Sequence, residues 1–231
     1  MSPDDNRDMT LNKYLIFDGT FLHRPTSIVA LMDAGSNQII TGKYGVRENS
    51  DKQLLAFFKT LRAEGLNPVS CTLDGNPVAI KAMRTIWPNI VIQRCLVHIQ
   101  RQGLSWCRRN PKTPASRKLR DIFLGITHIR TGGERDEILE LINQGEQRYG
   151  QYIKIRPERG RVFSDVKRAR SMLMKALPNM FYYLNDPGIS FTTNRLESYF
   201  SRLKNHYRQH RGLRKKKLDN YFNWYLFYKP K

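Results

Sequence analysis

The sequence predicts an α/β protein with a mixed five-stranded sheet, flanking helices and an α-helical insertion. Short apolar runs separated by turn residues fill the first part of the chain, and strand-like and helical segments then alternate up to about residue 93. Beyond residue 96 the periodicity is helical almost throughout. Strands joined by helical crossovers are nearly always parallel, so we expect an antiparallel meander followed by parallel strands.

Three apolar runs near the start predict the meander. Residues 14–17 form the first strand, which ends at Asp18-Gly19, and residues 27–32 form the second, which ends in the turn cluster 33–37. Residues 38–44 return as the third strand. The short links favour antiparallel pairing of neighbours.

Helices and strands alternate after residue 50. Apolar residues at helical spacing predict a helix between a Ser50 cap and Gly65. The next elements are a strand at residues 68–73, a helix opening at Pro77 and a strand at residues 90–93. Their order predicts that the fourth and fifth strands join the sheet through crossovers.

Residues 96–185 read as a helical block. Breaks are expected near residues 111–114, 131–133 and 156–160, and residues 152–155 are the one candidate strand within it. A last helix begins at residues 192–194 and presents an apolar face and a basic face. The aromatic residues between 221 and 228 are expected to pack a terminal helix rather than to stack on bases.

These patterns divide the chain into three segments. Residues 1–98 form the first part of a core, residues 99–188 form a helical insertion, and residues 189–231 complete the core with a helix and a basic tail. The segments differ in charge: residues 1–98 hold 11 basic and 9 acidic side chains, residues 99–170 hold 17 and 8, and residues 193–231 hold 11 and 2. The net charge of +20 therefore resides in the second half and indicates a polyanionic partner.

Several classes of protein are excluded by composition. No apolar run is long enough for a membrane span, and the acidic, polar start does not resemble a signal peptide. Three unevenly spaced cysteines do not make a disulfide framework. We therefore expect a cytoplasmic protein without a membrane partner.

Three carboxylates are candidate metal ligands. Asp18 and Asp74 each end a predicted strand, where side chains of an open α/β sheet face a ligand crevice, and Glu197 opens the last helix. Two Mg²⁺ ions held by such a set activate a nucleophile and stabilise a leaving oxygen in phosphoryl transfer. The alternative interpretations are a turn role for each Asp-Gly pair and a capping role for Glu197 beside Asn194.

Basic residues in the last segment are candidate DNA contacts, because only Glu197 offers a counter-charge between residues 194 and 217. The predicted contacts are Arg195, Arg202, Lys204, Arg208, Arg211, Arg214, Lys215, Lys216 and Lys217.

Four blocks together resemble the DDE transposases of the bacterial insertion-sequence and Mutator-like superfamily. They are Phe17-Asp18-Gly19-Thr20, Leu73-Asp74-Gly75-Asn76, Gln93-Arg94-Cys95-Leu96-Val97-His98 and Thr192-Thr193-Asn194-Arg195-Leu196-Glu197. The resemblance extends from about Tyr14 to Arg211. It implies a ribonuclease H-like core with Asp18, Asp74 and Glu197 as the ligands of two Mg²⁺ ions, for which Mn²⁺ can substitute.

The Cys95-x-x-His98 block has three interpretations. The resemblance implies that His98 lies near the active site. Alternatively, Cys95 is a buried thiol beside a hydrogen-bonded histidine, or the pair is half of a zinc site that takes further ligands from Cys71, Cys107, His23 or His128.

The resemblance implies a DNA nucleotidyltransferase that cuts element ends and transfers strands into double-stranded target DNA, acting as a homo-oligomer on paired ends. The alternatives are an inactive, transposase-derived DNA-binding regulator and a nuclease for RNA–DNA hybrids. Only about 13 residues precede the first predicted strand, too few for the N-terminal DNA-binding region of full-length members. We therefore expect a fragment, a member with its binding domain on another reading frame, or a decayed copy.

Overall fold

A computed structural model describes residues 9–23, 26–155, 165–210 and 212–229, without the side chains of His23 and Lys215. The described chain forms an α/β fold with five strands and eight α-helices. Its contacts divide it into two compact units, one within Met1–Gln93 and Gly188–Lys231 and the other within Arg94–Pro187.

The first unit contains a mixed sheet in the strand order 3-2-1-4-5. The strands are β1 (Tyr14–His23), β2 (Thr26–Asp33), β3 (Ile39–Val46), β4 (Ser70–Leu73) and β5 (Val91–Arg94). β1, β2 and β3 pair antiparallel as the predicted meander, and β1 pairs with β4 in parallel. The predicted mixed five-stranded sheet is therefore confirmed.

Four helices cover the two faces of this sheet. They are α1 (Asp51–Ala63), α2 (Pro77–Ile86), α7 (Asn194–Gln209) and α8 (Leu218–Tyr228). Successive strand residues face opposite sides. Leu15 and Phe17 pack in the core that contains residues of α1 and α2, and Ile16 packs in the core that contains residues of α7 and α8. The aromatic terminal segment thus packs on the sheet, where Phe222 is fully buried.

Local sequence fixes the ends of the first two helices. The Ser50 hydroxyl accepts a hydrogen bond from the Gln53 backbone N–H (3.4 Å), as expected of an N-cap. At α2, the Asn76 side chain accepts from the Val78 N–H (2.9 Å), and Pro77 occupies the first turn.

The second unit is helical. Its elements are α3 (Leu96–Cys107), α4 (Pro114–Gly125), α5 (Gly132–Lys154) and α6 (Val166–Ala176). Thr131 and Glu134 form a capping box at the start of α5, which accounts for the predicted break there. The predicted break at residues 156–160 lies outside the described residues.

Two sequence-based assignments were wrong. Residues 152–154 are the last turn of α5 and not a strand, because Ile153 continues the buried face that Ile138 and Ile142 begin. β1 does not end at Phe17 but runs on to His23, because β2 supplies hydrogen-bonding partners along that whole stretch.

Candidate functional site

Asp18 lies within a strand and not in a turn. It is paired with Ala30 of β2, and its Oδ1 atom accepts a hydrogen bond from the Gly19 N–H (2.8 Å). Asp18 is two residues after Ile16, so strand alternation places it on the sheet face that α7 and α8 cover. The turn interpretation of Asp18-Gly19 is therefore wrong, and the Asp18 side chain is partly exposed on a structured face.

Asp74 directly follows β4 and forms the turn into α2. Its Oδ1 atom accepts a hydrogen bond from the Asn76 N–H (2.9 Å), and Gly75 has a φ of 106°, which favours glycine. Here the turn interpretation is correct. It does not compete with a functional role, since Asp74 stays partly exposed.

The register of the parallel strands aligns the two aspartates. β1 and β4 pair from Tyr14 opposite Ser70 to Ile16 opposite Thr72. Asp18 lies two residues after Ile16, and Asp74 lies two residues after Thr72. The two aspartates are therefore at equivalent positions just beyond the paired segment. Carboxylates at that end of parallel strands share the edge where ligands bind in open α/β sheets.

Glu197 lies in the first turns of α7. The N-cap of this helix is Thr193, whose side chain makes no capping hydrogen bond, so no capping box forms. The Thr193 hydroxyl donates to Glu197 Oε1 instead (3.3 Å). Leu196 and Phe200, on either side of Glu197 along α7, are buried in the same core as Ile16. Glu197 therefore projects from the helix that covers the Asp18 face.

A further carboxyl group, which the sequence analysis missed, lies near Asp74 but on the sheet face opposite to Asp18. Glu48 occupies the turn after β3, and a β-carbon at Gly19 would overlap its carboxyl group. Burial raises the pKa of Glu48, the nearby Ser27 hydroxyl lowers it, and the Asp74 charge raises it. The only sequence signal for Glu48 is an acid between a predicted strand and a helix cap, which is too common to single it out.

The donor set suits Mg²⁺, which prefers oxygen ligands and needs only one or two carboxylates when water and substrate phosphates complete its shell. Within the described ranges, no three His, Cys, Asp or Glu side chains lie close enough together to hold a metal ion. The aligned aspartates thus fit a Mg²⁺ ion that substrate helps to hold, rather than a closed protein site.

Cys95 and His98 lie at the start of α3 in the second unit. Cys95 is fully buried and is the N-cap residue, while His98 is partly exposed. Among the described side chains, no third ligand joins them to make a metal group, so the zinc interpretation gains no support.

The predicted DNA contacts lie on α7 and on the segment after it. Arg195, Arg202 and Arg208 are exposed, and Lys204 is partly exposed. Arg214, Lys216 and Lys217 are also exposed in the segment before α8, whereas Arg211 and the Lys215 side chain lie outside the described residues.

Comparison with known proteins defines the class. The family model of the Mutator family of transposases matches residues 18–166, which is more than half of the chain. This chain belongs to that family. The match begins at Asp18 and includes Asp74, Cys95 and His98, but it ends before Glu197. No curated protein matches significantly. None of the helices in the described ranges is long and apolar enough to cross a bilayer.

Proposed function

We propose that this transposase is of the DDE type, with a ribonuclease H-like core that cuts DNA at element ends and joins those ends to target DNA. The observation that supports the proposal is the parallel register of β1 and β4, in which Asp18 and Asp74 each follow the last paired residue by two positions, within the family-matched region. The strand order 3-2-1-4-5, with β1 and β4 parallel, also supports a ribonuclease H-like core.

In this proposal Asp18, Asp74 and Glu197 hold two Mg²⁺ ions, for which Mn²⁺ can substitute. When bound, such ions lower the pKa of an attacking water or hydroxyl and stabilise the leaving oxygen of an in-line displacement. The protein's own contribution is to orient these carboxylates. Backbone pairing of β1 with β2 fixes the position of Asp18. The Asn76 N–H donates a hydrogen bond to the Asp74 carboxylate, and the Thr193 hydroxyl donates one to the Glu197 carboxylate.

The exposed basic residues of α7 would bind the phosphate backbone of double-stranded DNA, either an element end or the target. They follow Glu197 along the same helix, so a strand bound along Arg202 and Arg208 would lead toward that carboxylate. Cleavage and strand transfer need paired ends, and we propose a homo-oligomer that acts on DNA in the cytoplasm.

A second function is favoured by one observation. The described residues contain no ready-made group of three metal-binding side chains. A catalytically inactive transposase-derived regulator would bind DNA through the same basic residues without needing such a group.

DNA cleavage assays distinguish the two functions. The full chain is incubated in Mg²⁺ or Mn²⁺ with a library of duplexes that carry varied end sequences, and nicks are mapped by sequencing. We expect alanine at Asp18, Asp74 or Glu197 to abolish nicking and to leave salt-sensitive DNA binding in place. Full nicking by Asp18→Ala would refute the proposed active site, and DNA binding without any nicking by the wild type would favour the regulator.

A further inference from the structure

Charge is unevenly distributed within the helical unit. Residues 101–120, which include the end of α3 and the start of α4, hold seven basic and no acidic side chains. α6 packs against both of these helices and holds four basic side chains and no acidic one. α5, in contrast, holds five acidic and three basic side chains. The positive charge of this unit is therefore concentrated on α3, α4 and α6.

The link between α3 and α4 presents exposed cations. Arg109 and Lys112 lie in the link, Arg117 lies in the first turns of α4, and all three side chains are exposed. Among the described residues, no acidic side chain forms an ion pair with any of them. We call residues 108–117 the basic corner. Its cations repel one another, and a polyanion would relieve that repulsion.

The backbone of the basic corner is held in place. Pro111 restricts the backbone within the link, and the Thr113 hydroxyl accepts a hydrogen bond from the Ser116 N–H (3.2 Å) at the start of α4. Arg120 reaches back from α4, and its Nη1 atom donates to the Arg108 carbonyl (2.9 Å) at the end of α3. A link fixed in this way loses little conformational freedom when it binds a ligand.

Arg108 has a backbone conformation that suits glycine. Its φ is 69° and its ψ is 165°, a region that residues with a side chain adopt only under strain. Such strain concentrates at sites that bind ligands. Glycine would end α3 here without strain, whereas the arginine adds a partly exposed cation to the basic corner.

We propose that the basic corner is a second DNA-binding surface, which contacts the phosphate backbone of duplex DNA. This inference rests on the proposed function, from which it takes DNA as the substrate. Arginine and lysine side chains bind phosphate through charge-assisted hydrogen bonds, and contacts of this kind carry no sequence information. The helical unit would thus bind DNA of any sequence.

Fluorescence anisotropy of the full chain with a labelled duplex, in EDTA and over a salt series, tests this inference without measuring catalysis. We expect Arg109→Gln with Lys112→Gln to reduce the log-log slope of affinity against salt by about 2, one for each lost phosphate contact. The reduction should be equal for two duplexes of unrelated sequence.

The matched control is Arg148→Gln with Lys154→Gln. This pair also removes one arginine and one lysine, both exposed, but from α5, where acidic residues predominate. It should leave the slope unchanged. Urea unfolding of each variant establishes that the titrated protein is folded.

Arg108→Gly and Arg108→Ala separate the side chain from the backbone. Both variants remove the cation, so both should reduce the slope by about 1. Glycine also relieves the backbone strain and alanine does not, so Arg108→Gly should have the higher urea midpoint. Wild-type slopes in both variants would overturn a DNA contact by Arg108.

The outcomes separate this inference from the proposed function. If the basic-corner variant keeps the slope of its α5 control while the wild type nicks DNA, the inference is wrong and the proposed function stands. If the basic-corner variant loses slope but the wild type never nicks DNA, the inference stands and the proposed cleavage fails. A slope lost only with duplex RNA would assign the surface to RNA and overturn the inference.

Discussion

The Thr72 hydroxyl donates a hydrogen bond of 2.5 Å to the backbone carbonyl of Ser190, 118 residues later in the chain. Thr72 lies in β4 two residues before Asp74, and Ser190 lies in the segment that leads into α7 and Glu197. The first unit is built from two segments of the chain, which the helical unit separates in the sequence. This hydrogen bond joins the two segments close to the proposed ligands Asp74 and Glu197.

Thr72→Val tests the strength of this connection. Valine has nearly the same shape but cannot donate, which leaves the Ser190 carbonyl without this partner. We expect a loss of about 1–3 kcal/mol in the free energy of unfolding, measured with urea. Thr72→Ser keeps the hydroxyl and should recover most of the hydrogen-bond contribution, so equal losses in both variants would mean that the bond contributes little.

Replacement of Arg202 and Arg208 by glutamine should weaken binding to duplex DNA. Each lost phosphate contact lowers the log-log slope of affinity against salt by about 1, so the double variant should lose about 2. Fluorescence anisotropy over a salt series measures both quantities.

The matched control for this pair is Lys52→Gln with Lys59→Gln. Both lysines are exposed on α1, whose buried residues pack in the core on the other sheet face. The control removes the same charge, and an equal loss of slope in it would show that total charge, not the α7 surface, determines binding.

Gly103→Ala should destabilise the helical unit. A β-carbon at Gly103 in α3 would overlap the Phe123 ring of α4. Such overpacking costs about 1–3 kcal/mol. Gly145→Ala on α5 is the control, because its β-carbon would meet Lys118 at an ordinary 3.6 Å and alanine favours a helix by about 0.5–1 kcal/mol. Thermal unfolding should therefore show opposite shifts, and a stabilised Gly103→Ala would contradict the packing described.

The cysteines should resist thiol reagents in the folded protein. Cys71, Cys95 and Cys107 are all buried. Burial raises the pKa of Cys107 to about 12, although the Arg120 charge opposes the rise, and burial also raises the pKa of Cys71. Because the thiolate is the reactive form, these two thiols stay protonated and inert at pH 8. Ellman's reagent should react rapidly only after denaturation, and fast reaction of three thiols in the native protein would refute this.

The sequence was sufficient for features that depend on local chemistry. Ser50 caps α1 as expected, because a side-chain oxygen next to a helical run satisfies free N–H groups whatever the tertiary fold, and α2 opens at Pro77 as predicted. The sheet class was also predictable, since meander links are short and crossovers have a fixed sense.

Features that depend on distant partners were not predictable. Asp18-Gly19 has the composition of a turn, but the ladder with β2 keeps it in a strand. The importance of Gly19 emerges only when Glu48 folds against it, and no spacing in the sequence relates those two residues. The alignment of Asp18 with Asp74 likewise depends on the β1–β4 register.

Iron-directed cleavage of the protein backbone tests most directly whether Asp18, Asp74 and Glu197 hold the cation together. Fe²⁺ takes oxygen ligands, and with ascorbate and peroxide it produces hydroxyl radicals that cut the nearest peptide bonds. The account predicts fragments that end near residues 18, 74 and 197, suppressed by excess Mg²⁺ and absent from Asp18→Asn. Cuts confined to other parts of the chain, unchanged by Mg²⁺ and by Asp18→Asn, would contradict it.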